Sequence, residues 1–129
     1  MDIFLQSVGY WNLIGSIFLL VFLKESSGEK ILVQWAKIFK EPYKLGYYGR
    51  FWLLWAAGLN VFFSLINIMA VHWDLLEMKE FLVITDIIIY LVFIGLGILG
   101  YISKKCDVGV FVGLVIFGFW AIWGTWVLV

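Results

Sequence analysis

The chain is poor in the residues on which most metal and redox sites depend. Its 129 residues include one cysteine, one histidine and one proline, and only 14% are charged. The lone Cys106 excludes an intrachain disulfide and an all-thiolate metal site within one copy. The lone His72 is a poor ligand set for zinc or copper, and it excludes a bis-histidine haem within one copy. The sequence therefore predicts no metal site and no cofactor.

The sequence also lacks charge of one sign and recognisable catalytic motifs. Its formal net charge is zero, so no overall field points to nucleic acid as a partner. Nucleophile elbows, phosphate-binding glycine loops, zinc-protease helices and paired catalytic carboxylates are all absent from the sequence. A membrane enzyme acting on a lipid-like substrate stays open as an alternative, but it would lack an acid–base pair. The sequence favours a non-catalytic protein.

Apolar residues are abundant, at 64% of the chain against roughly 45–50% in a typical soluble domain. Each of four apolar runs is close to the ~20 residues that cross a ~30 Å hydrocarbon core as a helix. These runs cover residues 3–23, 51–71, 81–101 and 108–129. Because the hydrocarbon offers backbone groups no water, single spans must be helical. The sequence predicts an all-α integral membrane protein, a four-helix transmembrane bundle that forms one domain over residues 1–129.

The distribution of basic residues predicts the orientation. Eight of the nine lie in the loops 24–50 and 102–107, which the positive-inside rule assigns to the cytoplasm. Both termini are then non-cytoplasmic. No basic segment precedes the first apolar run, so we expect that run to be kept as a helix and not cleaved as a signal peptide.

The first loop has a helical pattern of its own at residues 29–41. Ile31, Trp35 and Ile38 recur at three- and four-residue spacing opposite a lysine-rich face, and Pro42 follows. This pattern predicts a short amphipathic helix in the membrane interface, ended by the proline. The helix could dock a partner or anionic lipid, or it could be a connector that hides its apolar face in the membrane.

Small and polar residues recur along one face of the first and second runs. Membrane helices pack closely through such residues, and side-chain hydrogen bonds join them. A small-xxx-small pair begins the fourth run. The helix-packing candidates are Asn12, Ser16, Asn60, Ser64, Gly109 and Gly113.

Asp86 is the only ionisable residue well inside any predicted span. It lies ~7 Å below the outer boundary at the helical rise, and polar groups within a span mark contact faces or functional sites. Counting from the same boundary places Gln6, Asn67 and Thr125 in one layer with it, with His72 just above as a possible proton partner. Facing inward together, they would form an outward-facing proton, cation or amine site. Alternatively, Asp86 accepts hydrogen bonds and fixes the bundle.

Two functions follow from these patterns. The first is a non-catalytic subunit that packs against copies of itself or other membrane subunits, surrounded by membrane lipids. The second is a small transporter, channel or lipophile-binding protein whose site is the polar layer around Asp86.

Overall fold

A computed structural model of the chain describes residues 1–22, 47–73 and 75–129. These residues are all-helical, which confirms the predicted α class for this part of the chain. The helices are α1 (Asp2–Phe22), α2 (Tyr47–Ala70), α3 (Leu76–Ile102) and α4 (Val110–Leu128). The predicted interfacial helix at 29–41 lies outside the described residues.

Three of these helices are long and apolar enough to cross a membrane. The qualifying stretches are Asp2–Leu20, Leu76–Ile102 and Val110–Leu128. In α2 the corresponding apolar stretch, Leu54–Ala70, is shorter. By length and composition, the three helices indicate a membrane-spanning protein.

Helix α3 extends beyond the apolar run that predicts it. It begins at Leu76, whereas the run begins at Phe81, and the added turn contains Glu77 and Lys79. Charged residues lower the hydropathy of this turn but do not oppose a helix, and Glu77 in the first turn interacts favourably with the helix dipole. The helix therefore continues past the residues that hydrocarbon would cover.

The helices form two antiparallel pairs. In the first pair, α1 packs along α2, so that Gly9 lies beside Ser64 and Asn12 beside Asn60. In the second pair, a short turn joins α3 to α4. Lys104 in this turn has a φ of 58°, the left-handed conformation that commonly follows the end of a helix.

The two pairs meet at one end of the molecule, which we call the Met1 end. This end contains the first turns of α1 and α3 and the last turns of α2 and α4. The buried residues of α3 all lie between Leu82 and Tyr90, and those of α4 between Trp120 and Gly124. Further from the Met1 end, large side chains of both helices are exposed, including Leu96, Leu99, Val112 and Val115. The shared core of the four helices is therefore at the Met1 end.

Aromatic rings fill much of this core around the buried Trp120. Its ring stacks on Trp123, with centroids 5.5 Å apart, and lies 6.5 Å from the nearly parallel ring of Tyr90. Phe4 meets it edge-on at 6.3 Å, and Trp11 lies 6.0 Å away. Rings from α1, α3 and α4 thus pack on one another in the arrangements that aromatic pairs favour.

Candidate functional site

A buried carboxylate and a buried amide form the polar centre of the Met1 end. Asp86 of α3 is 7% exposed and Asn67 of α2 is 2% exposed. The Nδ2 of Asn67 donates a hydrogen bond of 2.9 Å to the Oδ2 of Asp86. The two residues lie on different helix pairs, so this bond joins one pair to the other.

Two oxygens of this centre accept no hydrogen bond within the described part of the chain: the second oxygen of Asp86 and the side-chain oxygen of Asn67. In that same part, every fully enclosed side-chain nitrogen or oxygen has a partner. Neither oxygen is therefore fully enclosed, although both residues are buried.

A second set of polar contacts lies one turn further along α3. Tyr90 is four residues from Asp86 and thus on the same helical face. Its hydroxyl donates a long hydrogen bond of 3.5 Å to the Oδ1 of Asn12. The Nδ2 of Asn60 donates to the backbone oxygen of Asn12 at 3.2 Å. Asn12 therefore connects α1 to both α2 and α3.

The two buried serines bond within their own helices. Ser16 donates to the backbone oxygen of Asn12 at 2.7 Å, and Ser64 donates to that of Asn60. The close approach of α1 to α2 depends on Gly9 instead, since a Cβ there would stand 2.9 Å from the backbone oxygen of Ser64. The structure thus brings the small and polar faces of the two helices together.

Of the predicted glycine pair of α4, Gly113 has no such contact among the described residues. Gly109 precedes the first residue of the helix, and a Cβ on Gly113 would meet only Phe117 of the same helix, at 3.8 Å. The closely packed glycines of the second pair include Gly97 and Gly124. A Cβ would come within 2.6 Å of Leu114 at the first and within 2.9 Å of Phe4 at the second.

Of the predicted polar layer, the structure brings only Asn67 to Asp86. Gln6 is half-buried, His72 is exposed in the turn after α2, and Thr125 is exposed with its hydroxyl bonded to its own helix at Ala121. No hydrogen bond joins any of these three to Asp86 in the described ranges. Equal depth along the helices thus does not bring these side chains together.

Lys79 lies at the edge of the Met1 end and is 13% exposed. Its Nζ is 2.9 Å from the Oδ1 of Asp2 and 3.3 Å from the backbone oxygen of Val71. One ammonium group therefore links the start of α1, the end of α2 and the first turn of α3. Because these contacts occupy it, Lys79 is not the counter-charge of Asp86.

Sequence reasoning missed Tyr90 and Gly124. Tyr90 carries a readable signal, because it follows Asp86 by one helical turn and has a hydroxyl. Gly124 carries none, since no second small residue stands four positions before it.

The site contains one carboxylate and neutral groups. The described residues include no group of three or more histidine, cysteine, aspartate or glutamate side chains that could hold a metal ion. Comparisons of the chain with protein-family models, curated proteins and solved structures find no match.

Proposed function

We propose that the chain crosses a membrane four times as a four-helix bundle, with α2 as the fourth span and residues 29–41 as an interfacial helix. Helix α2 has 24 residues, which corresponds to ~36 Å at the helical rise and is long enough for a ~30 Å core. Lys104 and Lys105 are exposed at the end opposite Met1. The positive-inside rule then places that end, with loops 24–50 and 102–107, in the cytoplasm and both termini outside.

Single cysteines test this orientation. Cys106 is first replaced by serine, and Leu75→Cys and Ser103→Cys then place one exposed thiol at either end. A membrane-impermeant maleimide should label the Leu75→Cys variant in intact cells and the Ser103→Cys variant only after permeabilisation. The reverse pattern would contradict the orientation.

We further propose that the chain is a non-catalytic subunit that assembles with copies of itself or with other membrane proteins. The observation that carries this proposal is a set of glycines with open space beside them among the described residues. A Cβ would meet no atom of these residues within 4 Å at Gly15, Gly58, Gly95 and Gly118. Glycine costs a helix roughly 0.5–1 kcal/mol relative to alanine, and these positions gain no close contact with the described residues in return.

Gly58 lies at a surface of α2 where a partner helix would have room to approach closely. It lies in an open groove of about 440 Å³ on α2, whose walls are Phe51, Leu54, Trp55 and Leu59. Membrane helices approach one another closely at such small residues, because lipid gives apolar surfaces no driving force to associate. Helix α1 packs on another face of α2, through Asn60, Ser64 and Ile68.

The test compares Gly58→Leu with Ala56→Leu. Ala56 is exposed on another face of α2. The two variants therefore add side chains of similar volume to different faces of one helix. Native mass spectrometry after mild detergent extraction should show the wild type and Ala56→Leu in a complex and Gly58→Leu as a single chain. An unchanged complex in Gly58→Leu would reject this interface, and a wild type that is always a single chain would reject assembly.

A second function is favoured by the Asn67–Asp86 contact. It is a small carrier or ligand-binding protein whose outward-facing site is this centre. Asp86→Asn removes the carboxylate of this centre and keeps the shape of the side chain. Substrate flux into proteoliposomes should therefore fall to the background rate. Flux equal to that of the wild type would reject this function.

A further inference from the structure

Two oxygens at the Met1 end have a chemical requirement that the other described residues do not meet. Asp86 and Asn67 are both more than nine-tenths buried, and one oxygen of each accepts no hydrogen bond from the described residues. A buried carboxylate needs a counter-charge or a proton, since burying an uncompensated ion costs several kcal/mol. Lys79, the nearest basic residue in sequence, is bonded to Asp2 and Val71.

The bond between the two residues leaves one oxygen of each side chain as a further acceptor. The Nδ2 of Asn67 donates to one oxygen of Asp86 at 2.9 Å, so the amide oxygen of Asn67 and the second carboxylate oxygen of Asp86 remain as acceptors. An anionic oxygen and a neutral carbonyl-type oxygen are the ligands that hard cations prefer.

Size and charge limit what could bind there. Because Asp86 is 7% exposed and Asn67 is 2% exposed, the site does not admit an extended organic molecule. One carboxylate matches one positive charge, whereas calcium sites use several acidic ligands. We propose that Asp86 and Asn67 form a binding site for a small monovalent cation, such as sodium, potassium or ammonium, with water supplying the remaining ligands. This inference deepens the second proposed function by naming its ligand class, and it does not depend on assembly.

The experiment measures cation binding to the full chain purified in detergent. Thermal unfolding is followed in sodium, potassium or ammonium chloride and in N-methylglucamine chloride at equal ionic strength. At least one small cation should raise the unfolding midpoint of the wild type, by an amount that grows with concentration above the dissociation constant. Asp86→Asn should lose this response, whereas Asp2→Asn, which neutralises an exposed carboxylate at the same end, should retain it. No cation-specific response in the wild type, or the same response in Asp86→Asn, would overturn the proposal.

A second variant and a second measurement cover the case in which Asp86→Asn does not fold. Asn67→Ala keeps the carboxylate and removes one ligand, so the apparent affinity should fall by about tenfold or more. In the wild type, isotope-labelled aspartate should show a carboxylate band that shifts between the favoured cation and N-methylglucamine in infrared difference spectra. No band shift, or no loss of affinity, counts against the site.

Flux measurements separate this proposal from the carrier function. Cation binding that depends on Asp86, without flux in proteoliposomes, supports the site and rejects the carrier. Flux without Asp86-dependent cation binding overturns the proposed cation site and indicates that the carrier transports another ligand.

Discussion

Replacing Gly9 by alanine tests the closest contact between α1 and α2. The added Cβ would stand 2.7 Å from the Cγ1 of Ile68 and 2.9 Å from the backbone oxygen of Ser64. The side chain of Ile68 can rotate away, but the oxygen belongs to the backbone of α2. The whole helix must therefore shift before the methyl group fits.

The magnitude follows from two opposing effects. Alanine favours a helix over glycine by about 1 kcal/mol, whereas overpacking a well-packed site costs about 1–3 kcal/mol. We expect Gly9→Ala to lower the free energy of unfolding by about 1 kcal/mol, because the obstacle is backbone. At Gly95 nothing lies within 4 Å of the same Cβ, so that alanine variant should be stabilised by up to about 1 kcal/mol.

Gly97→Ala is the intermediate case. Its Cβ would stand 2.6 Å from the Cδ2 of Leu114, which is the end of a flexible side chain. Rotation of Leu114 should relieve this overlap, and the stability should change little. The three variants make the same chemical change, so differences in their stability report only the surroundings of each glycine.

The assay is unfolding of each variant by increasing SDS in mixed micelles, followed by far-ultraviolet circular dichroism and by fluorescence of the eight tryptophans. The expected order of stability is Gly95→Ala, then Gly97→Ala, then Gly9→Ala. If Gly9→Ala is as stable as Gly95→Ala, α1 and α2 do not approach as closely as described.

Two further predictions concern the polar contacts. Asn60→Leu removes the bond to the backbone oxygen of Asn12 and should lower the free energy of unfolding in SDS by about 0.6–1.7 kcal/mol. Ser64→Ala breaks a bond within one helix and should lower it by less. Equal losses would contradict an interhelical role for Asn60. Lys79→Met breaks the ion pair with Asp2 and should cost less than about 1 kcal/mol, in line with exposed pairs. The Lys79→Met cost should shrink at high salt, and a cost that is independent of salt would show that the ion pair does not contribute.

Hydropathy could predict where helices lie because apolar run length depends only on the order of residues. It could not predict that α3 begins at Leu76, since the charged first turn at Glu77 to Glu80 looks like a loop to any scale that scores transfer into hydrocarbon. Helix ends depend on backbone bonding and on the dipole, and neither requires an apolar side chain.

The rotation of each helix was harder to predict than its extent along the chain. Asn67 and Asp86 bond to each other, whereas the hydroxyl of Thr125 bonds to its own helix. Helix α4 is apolar on every side, so its sequence carries no periodicity that would identify the buried face. Its inward orientation depends on Gly124 and Trp120, whose contacts with Phe4 come from a distant part of the chain.

The placement of polar residues explains how the two helix pairs hold together. In a membrane, apolar contact between helices competes with equally apolar lipid, so association depends on close packing and hydrogen bonds. The side-chain contacts between the pairs that the described residues show include Asn67 with Asp86, Tyr90 with Asn12, and the ion pair of Lys79. A cation at Asp86 would therefore act at one of the bonds that link the pairs. Its binding should change the stability of the whole molecule and not of one helix alone, which is why global unfolding is the appropriate measurement for the site.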